Sequence, residues 1–330
     1  MSPSDPRERF LVPQELDGAR LDVVLARHVR DRSRTRLQSL VREGLVTVDD
    51  VPVTRPNTAV AAGSRIALDL PEPRAPAAPV AGAGERAPLD VLYEDEALIV
   101  VDKPAGLVVH RNDRYPAATL ADMAVAQFGE LPSIQGEHRP GIAHRLDRLT
   151  SGVLLLGRTT EALEAIKAQF QARTVAKTYL ALVHGDPRFD SDWIETSIGP
   201  SADGRGRFKV VPEGEGRAAS TYYEVRERFH GFAYVELRPR TGRTHQLRVH
   251  LHSIGLPIVG DWTYKHAGAL KVPLPAEAPP MDRQALHAHR IELDHPVTGK
   301  RVSFESPLPG DIETLLDWLR TGELSPGAGA

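Results

Sequence analysis

Cysteine does not occur anywhere in the 330 residues. Its absence excludes disulfides, thiolate nucleophiles and cysteine-ligated zinc or iron–sulfur sites, so any chemistry must use other groups. Long apolar runs are missing too. No stretch approaches the roughly 20 residues that span a bilayer, and Met1-Ser2-Pro3-Ser4-Asp5-Pro6-Arg7-Glu8 lacks the apolar centre of a signal peptide. A cytoplasmic chain with no membrane partner is expected. There is no Gly-x-Gly-x-x-Gly, Walker loop, Gly-x-Ser-x-Gly or His-Glu-x-x-His, and no internal repeat. Thirteen histidines raise the question of a metal, but His287 and His289 share one side of a strand without a third or fourth ligand. His250 and His252, two apart on a helix, cannot share a ligand face. No metal and no cofactor is expected. A large excess of one charge is also lacking: the net charge of −3 argues against indiscriminate binding to nucleic acid.

What is present is a local excess. Between Arg27 and Arg42, six arginines (27, 30, 32, 34, 36 and 42) stand against Asp31 alone. Around this patch, residues 15–72 read as a small α/β module. Leu21, Val24, Leu25 and Val29 recur at helical spacing, and a second helix over Arg36 to Arg42 buries Leu37, Leu40 and Val41. Gly44 ends that helix, Val46-Thr47-Val48 alternates, Asp49-Asp50 suits a turn, and Ser64 to Leu68 closes the unit. Residues 1–14 read as a tail. Residues 73–88, rich in Pro, Ala and Gly, read as a linker.

The main domain is placed at 89–323, with 324–330 as a disordered tail. Val91 to Tyr93 and Ala97 to Val101 form a hairpin that ends at Lys103-Pro104-Ala105-Gly106. Leu163, Ile166 and Phe170 mark a helix capped by Thr159 or Thr160. Lys177 to Val183, Ser220 to Glu227 and Tyr234 to Arg238 read as strands. Leu286 to Leu293 and Arg301 to Phe304 form a second hairpin, and Asp311 caps a last helix buried through Ile312, Leu315, Leu316 and Leu319. The order does not repeat as βαβ units. An α+β fold on a largely antiparallel mixed sheet is therefore expected.

Three strings carry the chemistry: His144-Arg145-Leu146-Asp147-Arg148-Leu149-Thr150-Ser151-Gly152, Lys177-Thr178-Tyr179-Leu180-Ala181-Leu182-Val183, and Thr241-Gly242-Arg243-Thr244-His245-Gln246-Leu247-Arg248-Val249-His250. The first sets one carboxylate, Asp147, among guanidiniums that favour its charged form, just before the apolar run Val153 to Leu156. Read as a helix, Thr244 to Ile254 gathers Leu247, Leu251 and Ile254 on one face and displays His245, Arg248 and His252 on the other. In order and spacing, the three strings resemble the motifs of the RluA family of pseudouridine synthases, over about Leu89 to Leu319. Within it they most resemble the RluD-like branch, which isomerises uridines in large-subunit ribosomal RNA. Leu149 departs from the pattern, since many bacterial members carry an acidic residue there.

The resemblance implies Asp147 as the catalytic aspartate, Arg248 as its ion-pair partner, and Tyr179 as the ring that stacks on the target uracil, its hydroxyl able to handle a proton. It implies RNA contacts for Arg145, and for His144, Arg148, Arg243 and His245 in the same motifs. Ser33 to Gln38, Gly44 to Val48 and the closing strand resemble the alpha-L RNA-binding motif, which implies RNA contacts for Arg34, Arg36 and Arg42. The basic segment Gly204-Arg205-Gly206-Arg207-Phe208-Lys209 reads as a further RNA-touching loop. The expected partner is 23S ribosomal RNA, within or before the assembling large subunit, bound by a monomer. Whether Asp147 attacks ribose, attacks the base or removes a sugar proton is left open. Rival readings are a non-catalytic ribosome-assembly factor, a synthase acting on tRNA, and an N-glycoside hydrolase. The hydrolase would want a second catalytic carboxylate, and none stands near the motifs in an apolar strand context.

Overall fold

The structure is a computed structural model, and it describes residues 7–29, 34–69, 87–111, 118–134, 139–201, 206–264 and 272–321. Most of the expected linker, the C-terminal tail, Arg30 to Ser33 and Arg205 lie outside the described residues.

The small module begins earlier than its sequence suggests. Residues expected as a tail supply β1 (Arg7–Leu11), which pairs antiparallel with β4 (Arg65–Asp69) from Arg7↔Asp69 to Leu11↔Arg65. Five residues of mixed polarity carry too little alternation to reveal an edge strand. Between them come α1 (Leu21–His28), α2 (Arg34–Arg42), β2 (Val46–Val48) and β3 (Val51–Pro52), and the sheet runs β1-β4-β2-β3. Asp49 and Asp50 both take left-handed backbone, φ 50 and 65, which makes a two-residue hairpin turn whose twist suits the flanking strands. Leu21, Val24, Leu25, Leu37, Leu40, Val41, Ile66 and Leu68 form one core beneath the two helices.

The large domain is built on a ten-stranded sheet. In chain order its elements are β5 (Asp90–Glu94), β6 (Leu98–Lys103), α3 (Leu120–Phe128), β7 (Ser151–Gly157), α4 (Thr160–Ala172), β8 (Ala176–His184), β9 (Ser191–Pro200), β10 (Phe208–Val211), β11 (Arg217–Phe229), β12 (Phe232–Pro239), α5 (Gln246–Ser253), β13 (Leu286–Asp294), β14 (Arg301–Glu305) and α6 (Gly310–Arg320). The sheet order is β10-β9-β11-β12-β8-β13-β7-β6-β5, with β14 on β13. Among these pairs, β13 with β7 is parallel and the rest are antiparallel, so the α+β expectation holds.

Every residue of β7 is buried. Leu154 and Leu156 face the core shared with Leu120 of α3, while Val153 and Leu155 face that shared with Ile166 of α4. Cover on both faces explains a continuous apolar run in place of alternation. Thr159 caps α4, its hydroxyl accepting from the Ala162 N–H at 3.2 Å. Asp311 does not cap α6: Pro309 holds that position, and Asp311 instead binds Arg283 at 2.6 and 2.7 Å. Part of the basic segment expected as a loop is ordered as strand, with Phe208 and Lys209 opening β10.

Candidate active site

The polypeptide entering β7 carries Asp147 four residues before the strand begins. Two features hold that loop. Gly152, at φ 112, lies against β13, and a Cβ there would sit 2.2 Å from the Ala288 carbonyl oxygen, so only glycine permits the parallel pairing His287↔Ser151 and Ala288↔Gly152. From the other side, the fully buried ammonium of Lys103, at the end of β6, donates to the carbonyls of Pro104, Leu107 and Arg148 at 2.8, 3.0 and 3.1 Å. Burial pushes its pKa down to about 7, an effect Asp147 opposes. Nothing in the Lys103-Pro104-Ala105-Gly106 string distinguishes this lysine from an exposed turn residue.

The helix α5 approaches from the opposite half of the sheet, and it is not the half-displayed helix that its periodicity suggests. It starts at Gln246, and all of Gln246 to Leu251 is buried. Its polar side chains are consumed by the sheet. The Gln246 amide donates to the Ser220 carbonyl and the Thr221 hydroxyl at 3.1 and 2.9 Å, and His250 bridges Thr221 and Thr196 at 3.0 and 3.1 Å. Ile254, expected on the anchored face, is exposed.

Arg248, 6 % exposed, reaches two carboxylates. Its Nε and Nη2 bind Asp261 at 2.6 and 2.9 Å, and its Nη1 binds Asp147 Oδ2 at 3.0 Å. Burial alone would weaken this charge, but the bidentate Asp261 partner, helped by Asp147, raises the guanidinium above its ordinary pKa. Asp261 is itself fixed by the Thr263 and Tyr264 N–H groups at 3.0 and 3.2 Å. The preceding Gly260, at φ 74, leaves no room for a side chain, since a Cβ would meet the Arg283 carbonyl at 2.0 Å. A second carboxylate thus does stand at the site, contrary to the sequence expectation. It is committed to Arg248, which suits it to orienting rather than to acid–base work.

His245 precedes α5 in left-handed backbone, φ 56. Its Nδ1 lies 2.8 Å from the Tyr264 hydroxyl, which already accepts the Phe208 N–H at 2.9 Å. The other ring nitrogen, Nε2, lies 3.9 Å from Asp147 Oδ2. Burial lowers the His245 pKa against the opposing pull of Asp147. Arg248 and His245 both converge on Oδ2, leaving Oδ1 without a hydrogen bond among the described residues.

These groups line one cleft with about 140 Å³ of room, on the scale of a single base, to which Arg145, Lys177, Tyr179 and Arg243 also contribute. Tyr179 sits on β8 at the seam of two cores. Burial, reinforced by Asp147, raises its phenol well above the usual range. That disfavours the phenolate, so a planar, neutral ring fits the surroundings better than a proton acceptor does. Arg145 and Arg148 are exposed beside Asp147. His144 turns inward: its Nε2 accepts the Leu155 N–H at 3.0 Å, its ring stacks on Phe170 at 4.7 Å, and burial holds its pKa near 3. The structure gives His144 a packing place and not the RNA contact expected from its motif. Arg34 and Arg36 belong to the first turn of α2, their side chains lying outside the described residues, and Arg42 is exposed in its last turn. Among the described residues no group of His, Asp and Glu could hold a metal. His287 is bound to Ser151 Oγ and the Ser306 carbonyl instead.

Comparison with known proteins bears on this arrangement. Residues 97–253 match the model of a family described as RNA pseudouridylate synthase, and residues 19–66 match the S4 domain. An uncharacterized RNA pseudouridine synthase of Synechocystis is 36 % identical over 323 residues, 96 % of this chain and 95 % of that one. The ribosomal large subunit pseudouridine synthase D of Neisseria meningitidis serogroup B is 39 % identical over 322 residues, covering 97 % of this chain and 83 % of its own. Its counterpart in Pseudomonas aeruginosa is 39 % identical over 315 residues, 94 % of each. Among solved structures, human RNA pseudouridylate synthase domain containing 4 superimposes with a TM-score of 0.55 at 27 % identity, over 70 % of this chain and 93 % of that one.

Proposed function

Since this chain belongs to the RNA pseudouridylate synthase family and is an RNA-modifying isomerase, we propose that it converts uridine to pseudouridine in large-subunit ribosomal RNA, with Asp147 as the catalytic residue. The observation that carries the assignment of Asp147 is its 3.0 Å pair with buried Arg248 in a base-sized cleft walled by Tyr179. The names of the relatives of Neisseria and Pseudomonas support the ribosomal target.

The target uridine leaves its stack, at a cost of a few kcal/mol that is least for a loop base. Tyr179 offers the extruded ring a planar face. Arg248, locked by Asp261, holds Oδ2 of Asp147, so Oδ1 is the oxygen left to react. The C1′–N1 bond breaks, the uracil turns within the cleft, and a C1′–C5 bond forms. C5 loses its proton and N1 gains one, so atoms and electrons balance with no cofactor. His245 Nε2 stands 3.9 Å from Asp147 Oδ2 and walls that side of the cleft. In this reading the enzyme is a monomer. It acts in the cytoplasm on the RNA of the assembling large subunit.

Mapping pseudouridine in RNA from cells with and without this protein tests the target. Loss of one or more large-subunit positions is the expected result. An unchanged ribosomal map with positions lost from tRNA would overturn it.

A further inference from the structure

The arginines of the large domain divide into two groups. Several are paired: Arg228 with Asp186 and Asp190, Arg238 with Glu224, Arg283 with Asp311, and Arg320 with Glu227. On one side of the Asp147 cleft, unpaired cations are gathered close enough to act on one another. Arg173, Lys177, Arg217 and Arg243 form no ion pair with any described residue.

These four come from the end of α4, from β8, from the start of β11 and from the loop between β12 and α5. Arg173 follows α4 in left-handed backbone, φ 61, and is exposed. Lys177 lies on β8 two residues before Tyr179, hence on the same side of the strand, and lines the cleft. Arg217 opens β11 and is exposed. Arg243 lines the cleft and is held along the start of β11 by a 3.0 Å bond from its Nε to the Ala218 carbonyl. They are near enough to act on one another. Burial lowers the Arg243 pKa, and Arg217 and Arg173 lower it further. Burial and then Arg173 bring Lys177 down to about 8.

Gathering like charges without a counter-charge is unfavourable, and the described residues supply none. An anion would relieve it. Resting on the reading of this chain as a uridine isomerase of RNA, we propose that Arg173, Lys177, Arg217 and Arg243 form a phosphate subsite that grips the RNA backbone beside the extruded uridine. Three guanidinium forks match non-bridging phosphate oxygens, and Lys177 adds a point charge nearest the base. A phosphodiester entering here places its nucleoside over Tyr179, two residues further along the same strand. The subsite would thus fix which nucleotide of a strand reaches Asp147, and it requires no sequence recognition.

The test is filter binding of the full chain to a large-subunit ribosomal RNA fragment and to polyuridylate across a salt series. Removing one cation that pairs with a phosphate should reduce the slope of log affinity against log salt by about 0.7 on single strands. Arg173→Gln with Arg217→Gln should therefore flatten it by about 1.4 on both RNAs. Lys177→Gln should flatten it once, and Lys177→Arg should restore it. Arg228→Gln, which removes an ion-paired arginine, should leave the slope unchanged. Thermal unfolding of each variant checks that the fold is retained.

A wild-type slope in the double variant, or an equal loss in Arg228→Gln, overturns the subsite. Pseudouridine mapping reads the ribosomal target separately. An enzyme that modifies no ribosomal RNA yet shows the slope changes on polyuridylate loses its proposed target and keeps the subsite.

Discussion

Within residues 7–69, Asp22 is the one buried charged side chain among those described, satisfied by Gln38 at 2.5 Å and by Arg20 at 3.1 Å. The large domain, in contrast, buries Lys103, Arg248, Asp261 and Arg283. The difference follows from what each region handles. A module that meets a phosphate backbone from outside needs charge at its surface, where water bears the cost of solvation. A site that must hold a carboxylate in one orientation needs partners already desolvated and fixed, since freely hydrated groups would reorganise during the reaction. Buried charge therefore marks the chemistry, and exposed charge marks adhesion.

The sharpest way to break this contrast is Asp147→Asn, which preserves shape and removes the carboxylate. Tritium release from C5-labelled RNA in single turnover should fall below detection while RNA binding and thermal stability stay near wild type. Turnover at the wild-type rate would remove Asp147 from the chemistry.

Asp261→Asn comes next. It leaves Arg248 without its bidentate partner and touches no substrate. The single-turnover rate should drop about 100-fold through a misplaced Asp147, and stability should fall by about 3 kcal/mol because half of a buried pair is lost. RNA affinity should not change. A variant weakened in affinity alone would mean that Arg248 serves RNA and not Asp147.

Acid should then separate the two regions. Burial depresses His110, His250 and His287 to about 4 and His144 to about 3, below the ordinary 6.5. Between those limits the unfolded chain binds more protons than the fold does, so this contribution is whole above pH 6.5 and is lost as pH falls toward 4. All four lie in the large domain, as do the three tryptophans, Trp193, Trp262 and Trp318, so tryptophan fluorescence reports that domain by itself. Its thermal midpoint should fall by on the order of 5 °C or more across this window. A flat midpoint would show that the buried histidines do not govern acid sensitivity.

Removing residues 1–88 should have a smaller effect on the chemistry. Turnover should persist on excess RNA, while affinity falls and its salt dependence flattens. Arg42→Gln, at the exposed end of α2, should be the mildest change, reducing the salt slope by about 0.7 to 0.9. Equal slopes for full-length and truncated protein would assign RNA recognition to the large domain alone.

Asp147, Tyr179 and Arg248 were legible because each sits in a local string whose residue types carry their own meaning. Asp261 and Lys103 were not. A Gly-Asp pair in a loop and a lysine before a proline look like ordinary turn residues until the backbone around them closes. The α5 helix shows the same limit from the other direction: its periodicity located the helix, but only the Thr196 and Thr221 hydroxyls of the neighbouring strands explain why His250 is buried.

By itself, then, the sequence determined most of the elements, the two regions and the motif strings that carry the candidate carboxylate, since helical and strand periods, turn residues and short motifs are local properties of the chain. The tertiary structure decided which oxygen of Asp147 is held and what holds it. Arg248 lies 101 residues from Asp147 and 13 from Asp261, and their meeting depends on the sheet order that brings β7, β13, β8 and β12 side by side. Charge in water acts over short distances whatever the sequence separation, so only the fold could assemble three groups that the chain keeps apart.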